Sequence, residues 1–134
     1  MKRLLYLIPV LLLAACQTVP EEIPDDLSQA ELIQLAQESS ENENWTAARA
    51  YYEAIIDRFP GDRPSIAVAR YEVGFVEYQR GNLEQAEQEF ATLIGMYDFE
   101  AADLPAWPRV LSETILEQIE IERAPAEDEI TGEE

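Results

Sequence analysis

The apolar positions of this chain fall into two regimes. From Leu4 to Leu13 they run without a break except for Pro9, and from about Leu27 to Ile121 they recur every three or four residues. The second regime has the period of helices that bury one face, and no segment sustains the alternation of a half-buried strand. Ser28-Gln-Ala-Glu31 has the spacing of a capping box, with Leu27 and Leu32 placed to form a hydrophobic staple across it. The pattern predicts a first helix from Gln29 to about Glu41. Asn44 caps a second, Trp45 to Arg58, which stops before Pro60-Gly61. Pro64 opens a third helix that Gly81 closes after Arg80. Asn82 caps a fourth that ends near Met96, and Pro105 or Pro108 begins a fifth that runs to about Glu122. The expected fold class is all-α.

Sliding the chain against itself by 38 residues aligns residues of like character. Leu35 falls on Val73, Ala36 on Gly74, Asn44 on Asn82 and Trp45 on Leu83; Ala48 falls on Ala86, Tyr52 on Phe90, Ile55 on Leu93 and Ile56 on Ile94. Matches at one offset mark a repeated unit, here a pair of helices. The small residues have a packing reason: Ala36 and Gly74 let the first helix of a pair approach the second, which presents Ala48 or Ala86 and an aromatic ring four residues later.

The stretch Ala69-x-Tyr71-x-Val73-Gly74 followed by Gly81-Asn82-Leu83-x-x-Ala86-x-x-x-Phe90 resembles a tetratricopeptide repeat (TPR). The copy with Leu35-Ala36, Asn44-Trp45, Ala48, Tyr52 and Pro60 resembles the repeat before it. The period of 38 in place of 34 puts four extra residues at the Pro60–Ser65 junction, similar to the repeats of bacterial envelope proteins such as outer-membrane assembly lipoproteins and Tol–Pal-associated proteins. The resemblance implies two helix pairs in a right-handed stack. The fifth helix keeps the register, Leu111-Ser112 falling 38 after Val73-Gly74, and is expected to close the stack over its last apolar face. It also implies that the first helix of each pair lines a concave face. Carried over position by position, that face contains Ile33, Gln37 and Ser40, then Tyr71, Phe75 and Tyr78, then Arg109, Glu113 and Leu116. Tyr71, Phe75 and Tyr78 share one helical face and Arg109 offers a partner for a carboxylate. Whether this aromatic stripe is groove or core stays open at this stage.

The N-terminal regime reads differently. Lys2 and Arg3 precede ten residues of apolar run, too short for a permanent span of roughly 20 residues. The length and flanks are those of a secretory signal. The run ends in Leu13-Ala14-Ala15-Cys16, which resembles a lipobox, so residues 1–15 are expected to be removed and Cys16, the chain's one cysteine, to receive lipid. Gln17 after the cysteine implies, in the same resemblance, outer-membrane sorting in a Gram-negative host. Residues 16–27 carry prolines and acids without periodicity and are expected to be a disordered tether. The eleven residues from Cys16 to Asp26 reach at most about 35 Å. Residues 28–122 form the helical domain, and residues 123–134 an acidic tail.

Charge narrows the partners. The net charge of -19 becomes -21 without Lys2 and Arg3, and arginine is then the sole basic residue type. Nucleic acid and anionic lipid surfaces are poor partners for such a chain. Histidine is absent, the cysteine is claimed by lipid, and no phosphate loop, nucleophile elbow or metal-ligand spacing occurs. Asp98, Glu100 and Asp103 lack the spacing and glycine of a calcium loop. The expectation is a non-enzymatic, cofactor-free envelope lipoprotein, anchored through Cys16, whose repeat domain is a scaffold for another envelope protein. An acidic surface or spacer lipoprotein is the alternative, and a carrier of a small ligand in the aromatic groove is a third.

Overall fold

A computed structural model describes residue 20 and residues 22–124. Five α-helices account for nearly all of the 28–123 region: α1 Gln29–Glu41, α2 Trp45–Arg58, α3 Arg63–Gln79, α4 Leu83–Glu100 and α5 Ala106–Arg123, with a 3-10 turn at Ala101–Asp103. No strand occurs among the described residues, and the fold is all-α. The expected signal segment, Cys16, Gln17 and the acidic tail beyond Ala124 lie outside the described residues.

Local chemistry sets the ends. The Ser28 hydroxyl accepts from the Glu31 amide, and the Glu31 carboxylate accepts from the Ser28 amide at 2.8 Å, so the capping box closes as expected. Leu27 and Leu32 lie in the same apolar cluster, as the staple requires. Helix α3 starts one residue before Pro64 because Asp62 caps it, accepting from the Ser65 amide at 3.2 Å and from its hydroxyl at 2.8 Å. Helix α4 runs past Met96 and passes into the 3-10 turn. Of the two prolines proposed to start α5, Pro105 is the one that precedes it.

The 38-residue period is present in the backbone as well as in the side chains. Two residues past the end of α1 comes Glu43 at φ 55°, and two past the end of α3 comes Gly81 at φ 77°. Around them the amide of Glu43 donates to Ser40 and that of Asn44 to Ser39; 38 residues on, Gly81 donates to Tyr78 and Asn82 to Glu77. Each turn is a left-handed helix stop that satisfies otherwise orphaned carbonyls. Glycine takes this conformation without penalty, whereas Glu43 holds it against a Cβ clash.

Each helix packs on the next, and α3 also touches α5. Two apolar clusters result. Leu32, Ala36, Ala48, Tyr52, Ile55, Val73 and Val76 fill the first, and Ala86, Phe90, Leu93, Ile115 and Ile119 dominate the second. Helix α3 is central because its faces feed both: Ala69 and Val73 go to the first cluster, Ala67 and Tyr71 to the second. The small position of the repeat is buried three times over, as Ala36, Gly74 and Ser112. Each fully buried aliphatic side chain contributes about 1.5–3 kcal/mol relative to exposure.

One charge is inside. Glu77 has no exposed surface, and its carboxylate accepts from Arg49 of α2 at 2.6 Å, Asn82 at 2.6 Å and Arg80 at 3.1 Å. Burial alone would raise its pKa, but the Asn82 and Arg49 hydrogen bonds and the two guanidinium charges hold it below the usual carboxylate range. Glu77 thereby ties α2, α3 and the start of α4 together.

The last part of the expected tether is docked. Arg58 donates to the carbonyls of Pro24 and Ile23 at 2.6 and 2.8 Å, and Ile23 packs against the first cluster. Residues from Ile23 onward therefore belong to the folded body, where the composition alone suggests a free tether.

Candidate functional site: the cleft between α1 and α3

Helices α3 and α5 pack against each other, whereas α1 and α3 border a gap that α2 also lines. The two seams of this protein are filled differently. Between α3 and α5, Tyr71 meets the Trp107 ring edge-on at 5.2 Å, the Phe75 ring at 6.0 Å and the Phe90 ring at 6.1 Å. Tyr71 is buried, and large rings occupy the space.

Between α1 and α3 the corresponding positions are smaller. The 38-residue period puts Ile33 where α3 has Tyr71, Gln37 where it has Phe75, and Ala69 where α5 has Trp107. The seam stays open as a cavity of about 180 Å³ lined by Ile33 and Gln37 of α1, Tyr52 and Ile55 of α2, and Ala69 and Glu72 of α3. Along the same seam a wider concavity of about 540 Å³ shares Gln37, Tyr52 and Glu72 and adds Ser40, Glu41, Trp45 and Phe75. No arginine or lysine lines either one.

Glu72 is the distinctive group here. It is half-buried, and burial pushes its carboxyl above the usual carboxylate range. No described side chain donates a hydrogen bond to it or pairs with it. The arginines among the described residues are engaged elsewhere: Arg49 and Arg80 by Glu77, Arg58 by the docked segment, Arg70 by Glu89, Arg109 by Glu113, Arg123 by Glu87, while Arg63 has its own interaction. The Tyr52 hydroxyl is pushed up to about 12, by burial first and then by the Glu72 charge, against a hydrogen bond with Ser40 that lowers it. Tyr71 is raised for the same two reasons.

The residues expected on the concave face therefore separate. Ile33 and Gln37 line the cleft, and Phe75 lies on its wider part. Tyr71 is part of the second cluster and Tyr78 packs against it. Arg109 donates to Glu113 at 2.8 Å within its own helix and sits 5.9 Å over the Tyr97 ring, distant in role from the cleft. Sequence reasoning passed over Tyr52 and Glu72. The available signal was the difference in side-chain size between equivalent positions of the two repeats, which says which seam is full and which is open.

Helix α5 also carries a feature that the closing-helix expectation lacks. Its inner face is buried through Ile115 and Ile119, but Trp107, Val110, Leu111 and Ile121 are 42 to 66% exposed. Leu111 stands where Val73 is buried, because no further described helix covers it. Among the described residues no three acids or other ligating side chains gather into a metal site, and no helix is long and apolar enough to cross a membrane.

Comparison with known proteins adds a relative and no role. A 94-residue stretch, 69% of this chain, is 30% identical to a protein of Treponema pallidum (strain Nichols) described as uncharacterized. The chain spans 38% of the length of that relative. No family model and no solved structure matches the chain.

Proposed function

We propose that this protein is a lipid-anchored interaction module of the bacterial envelope, in which a short TPR-like stack holds another envelope protein in the α1–α3 cleft. The observation that carries this reading is the unequal filling of the two seams, one packed with Tyr71, Phe75 and Trp107 and the other left open. A protein whose repeat served only as a rigid spacer gains nothing from an open seam, since an unfilled apolar cavity forgoes packing energy. The absence of histidine and the lipobox-like Leu13-Ala-Ala-Cys16 support an anchored binding role over a catalytic one.

Affinity capture from detergent-solubilised membranes tests the reading. The full chain should retain a defined protein, and Gln37→Ala together with Ile33→Tyr, which fills the open seam, should release it while helicity stays intact. Tyr71 is unsuited to this test because it is core. A chain that captures nothing, or captures equally with the cleft altered, favours the acidic spacer.

A further inference from the structure

The cleft has a chemical preference that the scaffold reading alone does not supply. We propose that it receives one lysine or arginine side chain of a partner polypeptide, whose apolar stem lies along Ile33, Ile55 and Ala69 and whose cationic head meets the Glu72 carboxylate. The proposal rests on the reading of this face as a protein-binding groove and specifies what enters it.

Four observations argue for a cation on a slender stem. Glu72 is a half-buried carboxylate in the seam, and every arginine among the described residues is engaged elsewhere. The lining combines apolar Ile33, Ile55, Val68 and Ala69 with hydroxyl and amide groups of Tyr52, Ser40 and Gln37, which can share the donors of an ammonium or guanidinium. The inner cavity of about 180 Å³ is below the 300–1,000 Å³ or so of typical small-molecule and cofactor sites and suits a single side chain. Long basic side chains combine an apolar stem with a charged head, the same division the cleft displays. The net charge of -19 adds long-range attraction for a basic segment.

A carboxylate held without a partner in an apolar setting is costly, and the cost is removed when a cation arrives. The arriving ammonium must itself lose water, so the gain comes as selectivity for a cationic side chain over a neutral one of the same shape.

The test uses the full-length chain, nitrogen-15 labelled, in detergent, titrated with Ac-Ala-Ala-Leu-Lys-Leu-Ala-Ala-NH2 and the same peptide with norleucine or glutamate replacing lysine. Free n-butylammonium is the fourth probe. The lysine peptide is expected to shift the amides around Gln37, Ala69 and Glu72 and to bind at least tenfold more tightly than the norleucine peptide. Glu72→Gln should bring that ratio to within about twofold with the spectrum otherwise unchanged. Ile33→Tyr, which installs the larger residue found at the equivalent place in the second repeat, should abolish both. Equal binding of the norleucine peptide, or a lysine preference that survives Glu72→Gln, overturns the proposal. Butylammonium binding as tightly as the lysine peptide also overturns it, in favour of a small-amine site. The two readings fail separately: a membrane partner captured equally by wild type and Glu72→Gln leaves the scaffold standing and sinks the cation site.

Discussion

A Cβ built on Gly74 would lie 2.6 Å from Cε1 of Phe90. The ring leaves no room for a side chain there, which makes glycine a packing requirement in the middle of a helix. In the first repeat the same place is held by Ala36 against Tyr52, with both residues buried.

Gly74→Ala should therefore destabilise the domain, although alanine is the better helix former by about 1 kcal/mol. Overpacking a filled core costs about 1–3 kcal/mol, and the Phe90 ring is wholly buried with no free side to move to. The expected net loss in urea unfolding is up to about 2 kcal/mol, and Phe90→Leu in the same chain should recover part of it. A gain in stability from Gly74→Ala alone would show that the ring gives way easily.

Glu77 and its three donors make a second prediction. Glu77→Ala strands the amide of Asn82 and the Arg49 guanidinium, at a cost of about 1–3 kcal/mol. The arginines keep about a third of their surface, Arg49 30% and Arg80 33%, so the loss should stay below that of a fully enclosed pair. The carboxyl is held below its ordinary value, so its contribution is complete above the unfolded pKa of 4.5 and is lost as pH falls through the lower folded value. Wild type should lose stability over that acid window faster than Glu77→Gln does; parallel pH curves would contradict the assignment.

Glu72 should behave in the opposite sense. Its carboxyl is raised by burial, so the folded state binds a proton more readily than the unfolded chain, and stability falls as pH rises through the folded value. Glu72→Gln is expected to be more stable than wild type at pH 8, with the difference narrowing toward pH 5. A substitution that weakens binding while stabilising the free protein is the signature of a functional group held at a cost. If Glu72→Gln were less stable at pH 8, the carboxylate would have a structural partner after all.

The proposed anchor at Cys16 is tested apart from the fold. Radiolabelled palmitate supplied to expressing cells should label the wild-type chain and leave Cys16→Ser unlabelled, and the variant should pass into the soluble fraction after cell disruption. Labelling that persists in Cys16→Ser would place the lipid elsewhere.

Much of the fold was legible in the sequence because its determinants are local or periodic. Ser28 and Glu31 close a box within four residues, and Asn44 and Asn82 stand after left-handed stops that recur 38 residues apart. Asp62 escaped notice because proline at position 64 is the louder signal for the same helix start. The docking of Ile23 and Pro24 depends on Arg58, 35 and 34 residues away, and no local pattern encodes it. The site was half legible. A shared helical face groups Tyr71, Phe75 and Tyr78, but whether a face is covered depends on the neighbouring helix, and Trp107 covers Tyr71. Glu72 reads as one acid among 28 until its lack of a cation is known from the packing.

Site-directed photo-crosslinking in the native membrane tests the central claim most directly. A photoreactive phenylalanine analogue placed at Gln37, on the cleft, is compared with the same group at Gln88, exposed on α4. A cleft that holds a partner predicts a discrete adduct to one protein from position 37, none from position 88, and loss of the adduct when Ile33→Tyr fills the seam. No adduct from position 37, or the same adducts from both positions, would contradict it.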